Sequence, residues 1–110
     1  MKYETYSTGN CIDIKCIDDD NKVVGKVYLY LIWNYNRGKY YGLVEDLYVS
    51  IPYRKKGIGK KLIERLIESA NQHGCYKVIA TSRFEREYVH KFYEDLGLKK
   101  WGYEFRIDLE

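Results

Sequence analysis

The chain has 110 residues, 45% hydrophobic and 32% charged, with 19 Lys and Arg against 16 Asp and Glu for a net charge of +3. That length is the usual size of one domain, and the composition excludes disorder along most of the chain. The small charge gives no reason of its own to expect a nucleic acid or a membrane surface as partner.

The longest apolar run, residues 27–33, is far short of the ~20 residues of a membrane helix. No basic leader precedes an apolar segment near Met1. The expectation is a cytoplasmic protein with residues 1–110 as a single domain. Cys11, Cys16 and Cys75 are scattered with no C-x-x-C spacing, and with only His73 and His90 beside them they make no metal set. They read as buried or neutral thiols. The unusual component is 13 Tyr.

In chain order, residues 11–17 alternate apolar and polar, the pattern of a half-buried strand, and residues 18–21 form an Asx-type turn cluster. Residues 23–33, rich in β-branched and aromatic side chains, predict a second strand. Residues 35–39 close a hairpin with Gly38 free to take positive φ, and residues 40–49 predict a third strand interrupted by two carboxylates, Glu45 and Asp46. Ile58, Leu62, Ile63, Leu66, Ile67 and Ala70 then fall on one stripe of an amphipathic helix that ends at Gly74. Residues 75–81 read as a short strand. Ser82 and Glu85 fit a capping box. Val89, Phe92, Tyr93 and Leu96 give a second helical stripe closed by Gly97, and residues 101–109 alternate again as a last strand. The order β-β-β-α-β-α-β predicts an α/β (α+β) mixed sheet with both helices packed on it, and the strand–helix–strand passage implies a parallel pair.

Between the third strand and the first helix, residues 54–61 hold five basic side chains around Gly57 and Gly59. A glycine turn opening a helix presents several backbone N–H groups and the positive dipole end to one point, which favours phosphate. The spacing is not that of a Walker loop, since Arg54 and Lys61 occupy the positions of Gly and Ser/Thr. Nor is it a dinucleotide fingerprint, since Leu62 stands where the third glycine belongs. From the loop alone, a strand–helix turn with a solvated basic edge fits as well as a phosphate cradle.

Three segments together resemble the GNAT superfamily of acetyl-CoA-dependent N-acetyltransferases. Arg54-Lys-Lys-Gly57-Ile-Gly59 is similar to its R/Q-x-x-G-x-G/A signature, Glu45-Asp-Leu-Tyr-Val49 to its central strand, and Phe92-Tyr93-Glu-Asp-Leu-Gly97 to its F-Y-x-x-x-G segment. The resemblance implies that the amides of Lys55, Lys56, Gly57, Ile58, Gly59 and Lys60, with Arg54, hold the cofactor pyrophosphate. It also implies that the pantetheine arm pairs with Leu47, Tyr48 and Val49, and that a bulge splays the strand near Glu45. Acetyl-CoA is the implied co-substrate, with no metal.

Acetyl transfer to an amine needs a base, an oxyanion donor and an acid for the leaving thiolate. Glu45 is the candidate base, directly or through water, with Asp46 as substitute if the bulge shifts the register. Tyr93 is the candidate acid, because the resemblance matches it to the tyrosine that protonates the thiolate in many members; its spacing alone fits a core aromatic. His90 is a second acid or a packing group. Arg86 stands where many members carry a cofactor-touching Asn, so that contact changes, and a phosphate is its alternative.

Members of the family usually place a strand and two helices ahead of the second strand, whereas the 22 residues before Val23 suffice for one strand. The acceptor side is therefore expected to be open or completed by a second copy in a homodimer, with Tyr28, Tyr30, Trp33, Tyr35, Tyr40 and Tyr41 either lining it or packing the sheet. The acceptor is a small-molecule or protein amine. The competing readings are a CoA-binding module or regulatory subunit without acetyl transfer, and a nucleic-acid binder. The second is disfavoured because the cations concentrate on one loop.

Overall fold

Four strands run in chain order, each antiparallel to the next: β1 (Lys2–Thr8), β2 (Cys11–Ile17), β3 (Val23–Asn34) and β4 (Lys39–Val49). A single 3-10 turn (Ile51–Tyr53) leads to helix α1 (Ile58–Gln72). A two-residue strand β5 (Val78–Ile79) then pairs parallel with β4, and helix α2 (Glu87–Asp95) follows. The sheet order is β1-β2-β3-β4-β5. The computed structural model describes all of residues 1–110, which fold as two units, Met1–Ala80 and Thr81–Glu110. No helix is long and apolar enough to cross a membrane.

The first unit is built by alternation. Ile12, Ile14 and Cys16 of β2 and Val27, Leu29 and Leu31 of β3 are buried. They share one sheet face with Gly25, where an added Cβ would lie 3.0 Å from Ile58 Cγ2 and 3.2 Å from Leu62 Cδ1. Glycine there lets α1 sit directly on β3. Ile58, Leu62, Ile63, Leu66 and Ala70 of α1 complete this core, each at 5% exposure or less. Full burial of one such Leu or Ile is worth about 1.5–3 kcal/mol. The helix closes as its sequence implies, with His73 as C-cap and Gly74 at φ +71 just beyond.

The mixed α+β sheet is as expected, with differences at both ends. The first 22 residues form two strands instead of one. β1 was not legible because KYETYST is polar and almost wholly exposed, with only Tyr3 half-buried. The strand expected over residues 75–81 shrinks to Val78–Ile79. In the second unit, residues 101–109 form no strand. Alternation states which side chains would share a face, and a strand also needs a neighbour to bond. The capping box at Ser82 is not formed: α2 begins at Glu87 with Arg86 as N-cap and no side-chain cap bond. Its C-terminus behaves as expected, with Gly97 at φ +96 and Leu98 N–H bonded to the Tyr93 carbonyl at 3.0 Å, a closure of the Schellman type.

Candidate functional site

The paired carboxylates mark a break in β4. Tyr28 lies opposite Glu45 and Lys26 opposite Tyr48, so Val27 alone faces Asp46 and Leu47, a two-against-one β-bulge. Asp46 takes φ +57, a left-handed conformation that Asp tolerates better than most residues. The bulge therefore accounts for the broken alternation. Glu45 remains half-buried on the face shared with Tyr28, while Asp46 is exposed.

Beyond this point the sheet opens. β5 meets β4 only at Gly42 and Leu43, with Gly42 N–H donating to the Lys77 carbonyl at 2.9 Å. β4 runs on to Val49 with no strand on that side. Its edge over Leu47 and Tyr48 thus offers backbone groups that no strand pairs to an added extended chain, whereas the Val49 carbonyl is taken by the Arg54 side chain.

That open edge leads straight into the glycine loop. Ser50 N–H donates to the Val24 carbonyl at 2.8 Å, Arg54 Nε donates to the Val49 carbonyl at 2.8 Å, and the Arg54 guanidinium lies 5.4 Å from the centroid of the Tyr48 ring. Tyr53 donates its hydroxyl to Asp18 Oδ2 at 3.1 Å. The Asp18 carboxyl is held below its usual range first by the Lys22 N–H and then by this hydroxyl, against a partial loss of solvation. The loop is thereby tied to the β2–β3 turn.

Lys55 (φ +61) and Gly57 (φ +84) are left-handed. Lys61 N–H is the donor that closes on Gly57, at 3.1 Å, so the amides of Ile58, Gly59 and Lys60 precede the first helical bond. No acidic residue sits in the first turn of α1, and none of the chain's ion pairs uses Arg54, Lys55, Lys56, Lys60 or Lys61. Unpaired amides, an uncompensated helix dipole and cations with no carboxylate partner at one exposed turn fit an anion such as a pyrophosphate.

The sheet face opposite α1 is ordered in cross-strand rows. One row is Tyr6, Asp13, Tyr28 and Glu45; the next is Glu4, Lys15, Lys26 and Tyr48; on the other side lie Thr8, Cys11, Tyr30 and Leu43. Asp13 Oδ2 accepts from Lys15 Nζ at 3.3 Å, and Asp13 Oδ1 is buried without a hydrogen-bond partner. The Lys26 ammonium stands 5.4 Å over the Tyr28 ring. The Tyr30 hydroxyl is pushed up first by Cys11, then by lost solvation, and then by Asp46, Tyr28 and Glu45. Cys11 is itself held neutral, first by burial and then by Asp13.

Of the six aromatic residues expected along the acceptor side, Tyr28, Tyr30 and Tyr41 share this face. Trp33 and Tyr40 point to the other side and stack edge to face at 4.8 Å, and Tyr35 lies in the hairpin turn at 90% exposure. Glu45, Leu47, Tyr48, Val49 and residues 54–60 are thus consecutive parts of the first unit. Arg86 and Tyr93 belong to the second. There Arg86 caps α2, and Tyr93 is half-buried with its ring 5.3 Å from Phe92, edge to face. His90 Nε2 donates to the Arg83 carbonyl at 2.8 Å, which commits it to closing the turn before α2. Lys15 and Lys26 did not stand out in the sequence, because their juxtaposition exists only in the register. A bulge between Cys16 and Ile17 moves that register by one from what counting out of the turn gives.

The strand thus bulges at a carboxylate, opens at its edge and runs into a cationic glycine loop. Residues 3–98 match the model of the acetyltransferase (GNAT) family, and the chain belongs to that family. It is 37% identical over 95 residues to glucosamine 6-phosphate N-acetyltransferase of Trypanosoma brucei brucei, covering 86% of this chain and 63% of that protein. It is 32% identical over 108 residues to glucosamine 6-phosphate N-acetyltransferase 1 of Dictyostelium discoideum, covering 96% of this chain and 64% of that protein. The chain thus spans a little under two thirds of these relatives' length. The crystal structure of a Trypanosoma brucei acetyltransferase superposes with a TM-score of 0.83 at 34% identity, over 91% of this chain and 70% of that one.

Proposed function

We propose that this protein is an N-acetyltransferase that moves an acetyl group from acetyl-CoA to the primary amine of a small molecule, an amino sugar phosphate being the acceptor class favoured by its relatives. The observation that carries this reading is the unpaired edge of β4 beyond Leu43, continuous with the glycine loop at the start of α1. The edge suits the pantetheine arm at Leu47, Tyr48 and Val49, and the amides of residues 55–60 with Arg54 suit the pyrophosphate. Arg86 is a further phosphate contact in this proposal.

In the reaction the acceptor amine gives up a proton to Glu45, directly or through water. Its nitrogen attacks the thioester carbonyl, a C–N bond forms, and the carbonyl electron pair moves onto oxygen. Backbone N–H groups at the opened strand stabilise that oxyanion. Collapse breaks the C–S bond, the thiolate takes a proton from Tyr93, and the second proton of the attacking nitrogen is lost to solvent and replaced on the Tyr93 phenolate from solvent. Residues 1–110 act together as one acetyltransferase domain in this proposal, supported by a family match that runs across both units. Three unpaired cysteines are in keeping with a reducing cytoplasm.

A homodimer is part of the same proposal. The second copy would close the acceptor side over the tyrosine-bearing face of the sheet, where Tyr28 and Tyr30 lie side by side and Tyr30 is exposed. The experiment that tests the catalytic reading is an acceptor screen that follows release of the CoA thiol. Acceptor-dependent release is expected. Tight acetyl-CoA binding without release for any amine would establish the CoA-binding module instead.

A further inference from the structure

We propose that Lys15 and Lys26 form an anion subsite on the sheet face opposite α1, which holds the phosphate of an amino sugar phosphate while its amine is presented to Glu45. The inference rests on the acetyl-transfer reading and adds to it the residues that select a phosphorylated acceptor.

Lys15 and Lys26 are register partners on adjacent strands, and like charges placed directly opposite each other destabilise a sheet unless something compensates them. The compensation within the chain is partial. Asp13 Oδ2 takes Lys15 at 3.3 Å. Glu4, opposite Lys15 on the other side, is engaged by Lys2 at 3.3 Å. Lys26 has no carboxylate; its ammonium lies over the ring of Tyr28 at 5.4 Å, and Tyr28 is the residue directly opposite Glu45. The Lys15 side chain is 40% exposed and Lys26 is half-exposed, so both ammonium groups are within reach of a solute.

The spacing suits one ligand with an amine and an anion. Lys26 and Glu45 are two residues apart along the strand and one strand apart across it, a Cα separation of about 8 Å at ordinary sheet spacings. Both side chains start on the same sheet face at that separation, so one ligand the size of a hexose phosphate can reach both, amine at one end and phosphate at the other. The Glu45 carboxylate favours the ammonium end, and the lysine row one step away favours the phosphate end. A purely cationic polyamine would meet Lys15 and Lys26 as repulsive groups, and a neutral amino sugar would leave them unsatisfied.

The test uses the full chain with CoA at saturation, so that the glycine loop is occupied, and glucose 6-phosphate as a probe that carries the phosphate and no amine. Calorimetry is expected to detect glucose 6-phosphate binding that glucose does not reproduce. Lys26→Met is expected to weaken it about 10- to 100-fold, the range for one hydrogen bond to a charged group, and Lys26→Arg to restore most of it. Lys15→Met is combined with Asp13→Asn, so that no unpaired carboxylate is left buried, and circular dichroism checks that the pair folds. In parallel, kcat/KM for glucosamine 6-phosphate divided by that for glucosamine is expected to fall towards unity in the lysine variants, through KM. Binding of glucose 6-phosphate by Lys26→Met as tightly as by the wild type, or wild-type binding no tighter than that of glucose, would overturn the subsite. The two readings fail separately. Lysine-dependent probe binding with no acetylation of any amine removes acetyl transfer and leaves the subsite, whereas acetylation with a ratio unmoved by the lysine variants removes the subsite and leaves acetyl transfer.

Discussion

Gly57→Ala separates what the glycine loop does for the fold from what it does for acetyl-CoA. Gly57 sits at φ +84 with no atom within 4 Å of the position a Cβ would take. The substitution therefore introduces no clash, only the strain of a left-handed L-residue, about 1–2 kcal/mol. For a domain near this size that is a drop of roughly 5–10 °C in Tm. Gly38 is a matched control: its φ is +63 and its Cβ position is equally empty, but it lies in the β3–β4 turn, away from the loop. Acetyl-CoA at ~100 times its Kd is expected to stabilise the wild type by about 2.7 kcal/mol.

Differential scanning fluorimetry with and without acetyl-CoA reads both effects. Both variants are expected to lose similar Tm without ligand. Gly38→Ala keeps the full ligand shift. Gly57→Ala loses most of it, because relief of the strain rotates the amides that begin α1. An undiminished ligand shift in Gly57→Ala would refute the assignment of those amides to the pyrophosphate.

Tyr93→Phe keeps the ring beside Phe92 and removes the hydroxyl; turnover is expected to fall about 10²–10⁴-fold with acetyl-CoA affinity retained, and near-normal turnover would return Tyr93 to packing alone. Glu45→Gln is expected to lower kcat in the same range with acetyl-CoA affinity retained; near-normal turnover would assign the base elsewhere. Gly25→Ala presses on Ile58 and Leu62 at 3.0 and 3.2 Å and is expected to destabilise by about 1–3 kcal/mol in urea unfolding. The Tyr3 hydroxyl is pushed up to about 12, first by burial and then by its hydrogen bond to Cys16. Its contribution to stability is therefore present below pH 10 and lost as pH rises towards 12, and Tyr3→Phe is expected to reduce the alkaline fall in the urea midpoint. Light scattering is expected to give twice the 13.2 kDa chain mass; the monomer mass, unchanged by acetyl-CoA, would reject the dimer.

Legibility followed burial. β2, β3 and α1 were readable because one face of each is almost completely removed from water, and residues such as Ile12, Ile14, Leu62 and Leu66 impose their period on the sequence. The bulge was foreshadowed by Glu45 and Asp46, which do not fit an uninterrupted half-buried strand. β1 escaped because an exposed edge strand has no apolar period to impose. Residues 101–109 have the period but take no strand conformation, and α2 starts after its apparent cap, with Arg86 as N-cap and no side-chain cap bond. The lysine pair was invisible for a different reason: Lys15 and Lys26 are ordinary solvent-face residues until pairing sets them side by side.

Acetyl-CoA and glucosamine 6-phosphate mixed with the purified chain, with free CoA thiol followed in time against a no-amine control that carries the three protein thiols, test the central claim most directly. The account predicts thiol release that requires the amine, saturates with it, and is matched mole for mole by N-acetylated product in mass spectrometry. Acetyl-CoA binding with no release above the control, for this acceptor and for a panel of amino sugars, small amines and peptide amines, would contradict it.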